Sequence, residues 1–149
     1  MFASSGYGVG CKLLQIRQDP AGGWSSELVW ESRSLKTKFT NVAYREGHVF
    51  GLDDGILVAV GLDDGERRWK RGRYGHGHLI LVENLLLIQA EDGDVALVDA
   101  SPEGYRELGR FSALERKTWN NPALAGPYLL VRNDREAACY ELPLEQQQP

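Results

Sequence analysis

Three short stretches of the 149-residue chain carry cations, two of them beside aromatic or amide side chains: Lys36-Thr37-Lys38, Arg73-Tyr74-Gly75-His76 and Lys117-Thr118-Trp119-Asn120. Lysine and arginine make charge-assisted hydrogen bonds to oxyanions, and aromatic rings offer a flat apolar surface. Gathered at one place, Lys36, Lys38, Arg73, Tyr74, His76, Lys117, Trp119 and Asn120 would suit a carboxylate, a phosphate, a sugar or an acidic loop of a partner. Each has a plainer reading as well: a lysine is most often solvated, and Trp119 serves equally as a packing aromatic.

Other reactive types carry less. His76 and His78 have a spacing that can ligate a metal, but no third ligand stands near them in sequence, so they read as a solvated or hydrogen-bonded pair. Asp53-Asp54-Gly55 and Asp63-Asp64-Gly65 lack the alternating acidic spacing and distal glutamate of a calcium loop. They read as turns, because Asp-Gly supplies the positive φ of a tight hairpin. Cys11 and Cys139 have neither CxxC nor Cys/His spacing, and both are expected to be buried strand residues. No metal site is therefore predicted, and no nucleophile-elbow, metalloprotease or P-loop pattern occurs.

Charge and hydropathy set the outer bounds. A net charge of −4, from 17 Lys+Arg against 21 Asp+Glu, argues against nucleic acid or an anionic membrane as partner. Apolar runs such as Leu79 to Val82 and Leu85 to Ile88 fall far short of the ~20 residues of a spanning helix, so no membrane insertion is expected. The first residues lack the basic and apolar regions of an export signal. Residues 146–149 are polar and are expected to fray.

The elements that must position these side chains are short strands. Segments rich in Val, Leu, Ile, Tyr and Phe alternate with Gly-Asp and Asn turns, and no long 3.6-residue periodicity occurs, so the chain reads as all-β. Sliding the chain by 38 residues sets His48–Val60 over Leu86–Val98 and the Asp54-Gly55 turn over Asp92-Gly93. A step of 39 back carries Trp69 onto Trp30. A period of about 40 with two hairpins per unit matches four-stranded propeller blades.

The predicted parse, with strands a to d counted outward, runs as follows. One blade within 35–71 has strands near Phe39–Tyr44, His48–Leu52, Ile56–Gly61 and Glu66–Lys70. The next, within 72–113, has strands near His78–Val82, Leu85–Ala90, Asp94–Asp99 and Tyr105–Phe111. An incomplete blade over 1–34 holds only b, c and d, and another over 114–145 holds only a, b and c. The expected architecture is a partial β-propeller of about three and a half four-stranded antiparallel blades. In such a stack the three basic stretches all approach an innermost strand, so their side chains are expected to meet at one mouth of the central channel.

The segment Val49 to Lys70 resembles the pyrroloquinoline-quinone-like (PQQ-like) propeller repeat, whose docking pattern is A-x-D-x-x-T-G-x-x-x-W. Ala59, Gly65 and Trp69 fit it, while Gly61 stands for its Asp and Asp64 for its Thr. The resemblance implies that the tryptophan of a d strand stacks on the glycine turn of the neighbouring blade, with Trp30 and Trp69 in that role. It also implies a ring of seven or eight blades, of which this chain would be the C-terminal part. Completion would then need another copy of the chain or a separately encoded half, because an unpaired edge strand invites pairing.

Two functions follow from the resemblance. One is a non-catalytic propeller that presents a ligand or partner site at the channel mouth. The other is a fragment of a quinoprotein oxidoreductase, holding PQQ with calcium through adjacent cysteines, a stacking tryptophan and a Glu/Asn/Asp set. The chain has no Cys-Cys pair, and Trp119-Asn120 matches only a fragment of that set, so no catalytic residue and no cofactor are predicted under the first reading. The family is largely extracytoplasmic, whereas no export signal is present, and the compartment stays open between the two.

Overall fold

The computed structural model describes residues 1–143, so the predicted frayed tail lies outside the described residues. They form fourteen strands in four antiparallel sheets, and the chain is a partial β-propeller. The first sheet contains β1 (Phe2–Ser5), β2 (Gly10–Gln18) and β3 (Trp24–Ser32). The second contains β4 (Val42–Arg45), β5 (His48–Asp53), β6 (Ile56–Gly61) and β7 (Arg67–Arg73). The third contains β8 (His78–Val82), β9 (Leu85–Gln89), β10 (Asp94–Asp99) and β11 (Glu107–Ser112). The fourth contains β12 (Ala123–Ala125), β13 (Tyr128–Arg132) and β14 (Ala137–Glu141).

Each sheet is a plain meander, because its strands are joined by turns too short for a crossover. The β5–β6 turn closes on Asp54 (φ 47°) and Gly55 (φ 88°), the double positive φ of a type I′ hairpin. The β9–β10 turn is longer: Gly93 N–H donates to the Ala90 carbonyl at 3.1 Å, and Gly93 takes φ 99°. The additional turn residue changes the repeat spacing. Strand c advances 38 residues between these blades, but strands a and b advance 37, so the slide of 38 misplaces a and b by one. The ladders display the shift, with Leu52 paired to Leu57 and Gln89 paired to Val95.

The sheets stack face to face through alternate residues. Phe50, Leu52, Leu57 and Ala59 of the second sheet meet Leu79, Leu86, Ile88 and Val98 of the third in a dry core. Burying a large aliphatic side chain such as Leu86 or Ile88 contributes roughly 2–3 kcal/mol, an upper bound for a compact unfolded chain. Leu87 and Val95 face Leu129 and Val131 of the fourth sheet, and Val49, Val58 and Val60 face Cys11 and Trp30 of the first. Burial raises the Cys11 thiol above its ordinary pKa, as expected of a strand residue facing the core. Cys139 corrects the other half of that expectation: it is exposed, because alternation along β14 sends Ala138 and Tyr140 to the core and Cys139 outward.

The tryptophans join the sheets. Trp30 Nε1 donates to the Leu62 carbonyl at 2.9 Å, and a Cβ on Gly65 (φ 69°) would stand only 2.7 Å from Trp30 Cε3. Trp69 Nε1 repeats the bond one blade on, to the Ser101 carbonyl at 2.9 Å, but no atom approaches a Cβ built on Gly104. The second dock uses Tyr105 in place of the glycine, its ring 6.0 Å from that of Trp69, while Phe50 flanks the indole at 6.2 Å. Ala59, fully buried, pairs across the ladder with Trp69 and leaves room for the ring.

Candidate functional site

The innermost strands are β4, β8 and β12, each at one edge of its sheet, and β4 and β8 approach each other between blades. Asn41 bridges them: its amide donates to the Leu79 carbonyl at 2.5 Å and accepts from Leu79 N–H at 3.1 Å. Strand β4 begins at Val42, three residues later than predicted, so Phe39 belongs to the approach and not to the strand.

The a–b hairpins set the true equivalence of the three approaches. Each closes through a two-residue turn on the pairs Arg45↔His48, Val82↔Leu85 and Ala125↔Tyr128. Counting back six residues from Arg45, Val82 and Ala125 gives Phe39, His76 and Trp119. These three rings stand together: Phe39 lies 5.1 Å from Trp119 and 5.8 Å from His76, centroid to centroid. Phe39 is 48% exposed and Trp119 45% exposed, so the cluster forms an open wall and not a core. Phe39 escaped the sequence reading because the slide of 38 set it opposite Gly77. Counting back from the Glu46-Gly47, Glu83-Asn84 and Gly126-Pro127 turns finds it.

Polar groups fix and flank the wall. Glu91, just past β9, accepts from Trp119 Nε1 at 2.9 Å and from the His76 backbone N–H at 2.9 Å. Those bonds, the His76 amide first, hold the Glu91 carboxyl below its ordinary pKa despite partial burial. Lys117 Nζ stands 4.5 Å from the centre of the Trp119 ring, within cation–π range. Lys38 Nζ lies 3.2 Å from His76 Nε2 and 5.6 Å from the Tyr7 ring, which the β1–β2 turn supplies. His78 sits behind, its Nδ1 3.3 Å from Asn41 Oδ1, and burial pushes its pKa down, which favours the neutral ring. On the far side of Trp119 a groove of about 430 Å³ is lined by Lys117, Trp119, Asn120 and Asp134.

Four of the eight predicted site residues thus come together: Lys38, His76, Lys117 and Trp119, with Asn120 on the groove beside them. The others are corrected by their partners. Lys36 does not reach the wall; its ammonium binds Asp53 Oδ1 at 2.5 Å, its backbone N–H donates to the same oxygen at 2.9 Å, and Lys70 takes Asp53 Oδ2. Burial alone would raise the Asp53 pKa, but the hydrogen bonds from Lys36 and Lys70 outweigh it and hold the group below its ordinary value. Tyr74 is buried, its hydroxyl 2.8 Å from that of Tyr105 and donating to Glu107 at 2.5 Å, and burial with these bonds raises its pKa. Arg73 makes no cation–π contact with the three rings; with Tyr74, Glu91, Lys117 and Arg110 it lines a separate groove of about 850 Å³ that also holds Asp92 and Asp94. With its amide oxygen and nitrogen exchanged, Asn120 donates to the Arg132 carbonyl at 3.2 Å and accepts from its guanidinium at 3.1 Å, the orientation that satisfies both groups.

Among the described residues no three His, Cys, Asp or Glu side chains gather into a metal-binding group, and Cys11 and Cys139 lie in different sheets. The donor set for PQQ with calcium is not assembled there.

No family model matches the chain, and no curated protein matches it. Among solved structures it is similar to the crystal structure of the computationally designed protein Ika8, a designed β-propeller, with a TM-score of 0.62 and 12% identity over 78% of this chain. The chain spans 37% of the length of that designed protein. At such low identity the likeness is one of fold, and it agrees with the stacked antiparallel sheets of a partial β-propeller.

Proposed function

We propose that this chain is a PQQ-like propeller module that binds a small ligand or a partner's loop where the inner strands begin, without catalysing a reaction. The observation that carries the reading is the half-exposed wall of Phe39, His76 and Trp119, drawn from equivalent positions of three blades and flanked by Lys38 and Lys117. Single exposed aromatics are ordinary on a protein surface; three in contact beside cations and an ordered carboxylate are characteristic of recognition.

The test is a titration of the isotope-labelled chain with acetate, inorganic phosphate, glucose, glucuronate and an aspartate-rich peptide, read at the Trp119 indole N–H and the His76 ring. A saturable shift at both groups with at least one probe is expected. Resonances that stay still with every probe at millimolar concentration would sink the reading.

The same proposal has the outer face of the fourth sheet, where Tyr128, Leu130 and Cys139 are exposed, covered by another copy of the chain or a separately encoded half. Light scattering across the micromolar range tests this, and a strictly monomeric species overturns it. The quinoprotein reading draws no support from this site, because among the described residues its stacking tryptophan has no cysteine pair or metal-binding acidic cluster beside it.

A further inference from the structure

We infer that the ligand of the aromatic wall is an acidic sugar: a pyranose bearing a carboxylate, with its apolar ring face on Trp119 beside Phe39 and its carboxylate between Lys38 and Lys117. This rests on the binding reading above and gives it a substrate class. Three features together select that chemistry. The wall is open and carries two half-exposed rings 5.1 Å apart and inclined at 63°, an edge-to-face pair in which an indole face can meet the C–H face of a saccharide while Phe39 borders it. Glu91 fixes the indole through Nε1, so the platform is ordered before a ligand arrives and little conformational entropy is lost on binding.

The second feature is charge. Lys38 and Lys117 have no carboxylate partner among the described residues, whereas Glu91 is already engaged with two N–H donors. An anion is therefore complementary to the rims of the wall, and a charge-assisted bond to either lysine needs no existing ion pair to break. The third is the groove behind Trp119, where Asp134 supplies acceptors and Asn120 an amide, the mixed donors and acceptors that sugar hydroxyls require. A bare phosphate would leave the rings unused, and a neutral sugar would leave both ammonium groups without a partner.

The experiment titrates the labelled full chain with digalacturonate, its methyl ester, cellobiose, acetate, inorganic phosphate and the aspartate-rich peptide, reading Trp119 and His76. Digalacturonate is expected to bind about tenfold more tightly than its methyl ester, and Lys38→Ala and Lys117→Ala are each expected to remove most of that difference. Dispersed spectra of both variants verify that they are folded. Equal affinity for the ester, or for acetate or phosphate, overturns the acidic-sugar assignment. If only the aspartate-rich peptide moves Trp119, that assignment fails while the binding reading survives; if no probe does, both fail.

Discussion

Two basic clusters, Lys36 and Lys70 about Asp53 and Lys38 and Lys117 about the aromatic wall, do opposite things. In the first, Lys36 and Lys70 close on Asp53, a carboxylate only 1% exposed, and the charges are consumed in holding the approach to β4 against the end of β5. In the second, Glu91 accepts from a backbone N–H and from an indole, so Lys38 and Lys117 keep their charge for the surface. What a cation does here is decided by where the nearest carboxylate spends its hydrogen bonds. A buried acidic group claims lysines; one occupied by neutral donors leaves them available.

The largest effect should come from breaking the closed cluster. Asp53→Asn is expected to lower the unfolding free energy by about 3 kcal/mol, because it leaves two partly buried ammonium groups facing a neutral amide. Urea denaturation measures it, and a change under roughly 0.5 kcal/mol would show that the cluster is not structural.

Acid provides a second test of the same cluster. The folded pKa of Asp53 is lowered, so its contribution is complete above the unfolded value of about 3.9 and is lost as the pH falls through the folded one. The native chain should therefore lose more stability than Asp53→Asn when the pH is brought below about 4. Parallel acid unfolding curves for the two proteins would contradict this assignment.

Changes in the open cluster should be smaller. Glu91→Gln is expected to cost about 1 kcal/mol, since the amide oxygen still accepts but loses its charge, and to shift the Trp119 indole N–H resonance. An unmoved indole signal would mean that Glu91 does not order the wall. Smallest of all, Lys38→Ala and Lys117→Ala should each change stability by about 0.5 kcal/mol or less in thermal unfolding. A loss as large as that of Asp53→Asn would erase the distinction between the clusters.

Much of the fold is legible in the sequence. Every predicted strand has a counterpart, because alternation of Val, Leu and Ile with polar residues and the turn chemistry of Asp54-Gly55 act over a few residues. Trp30 and Trp69 are legible as docking residues through the resemblance to the PQQ-like repeat, and the structure supplies their acceptors, the Leu62 and Ser101 carbonyls. The site is less legible. Phe39 was hidden by one additional residue in the β9–β10 turn, which shifts strands a and b against c and breaks any single repeat length.

The sequence by itself determined that the chain is all-β, how its strands divide into sheets, and which segments approach the inner strands. These are consequences of local periodicity and of turn residues acting within a hairpin. Only the tertiary structure decided that Lys36 is spent on Asp53, that Tyr74 turns inward to Glu107, that Cys139 faces out, and that Phe39 joins His76 and Trp119. Most of those partners lie in other strands or other blades, and composition does not choose among several polar groups within reach. Packing of the sheets fixes the distances, and the distances make the choice.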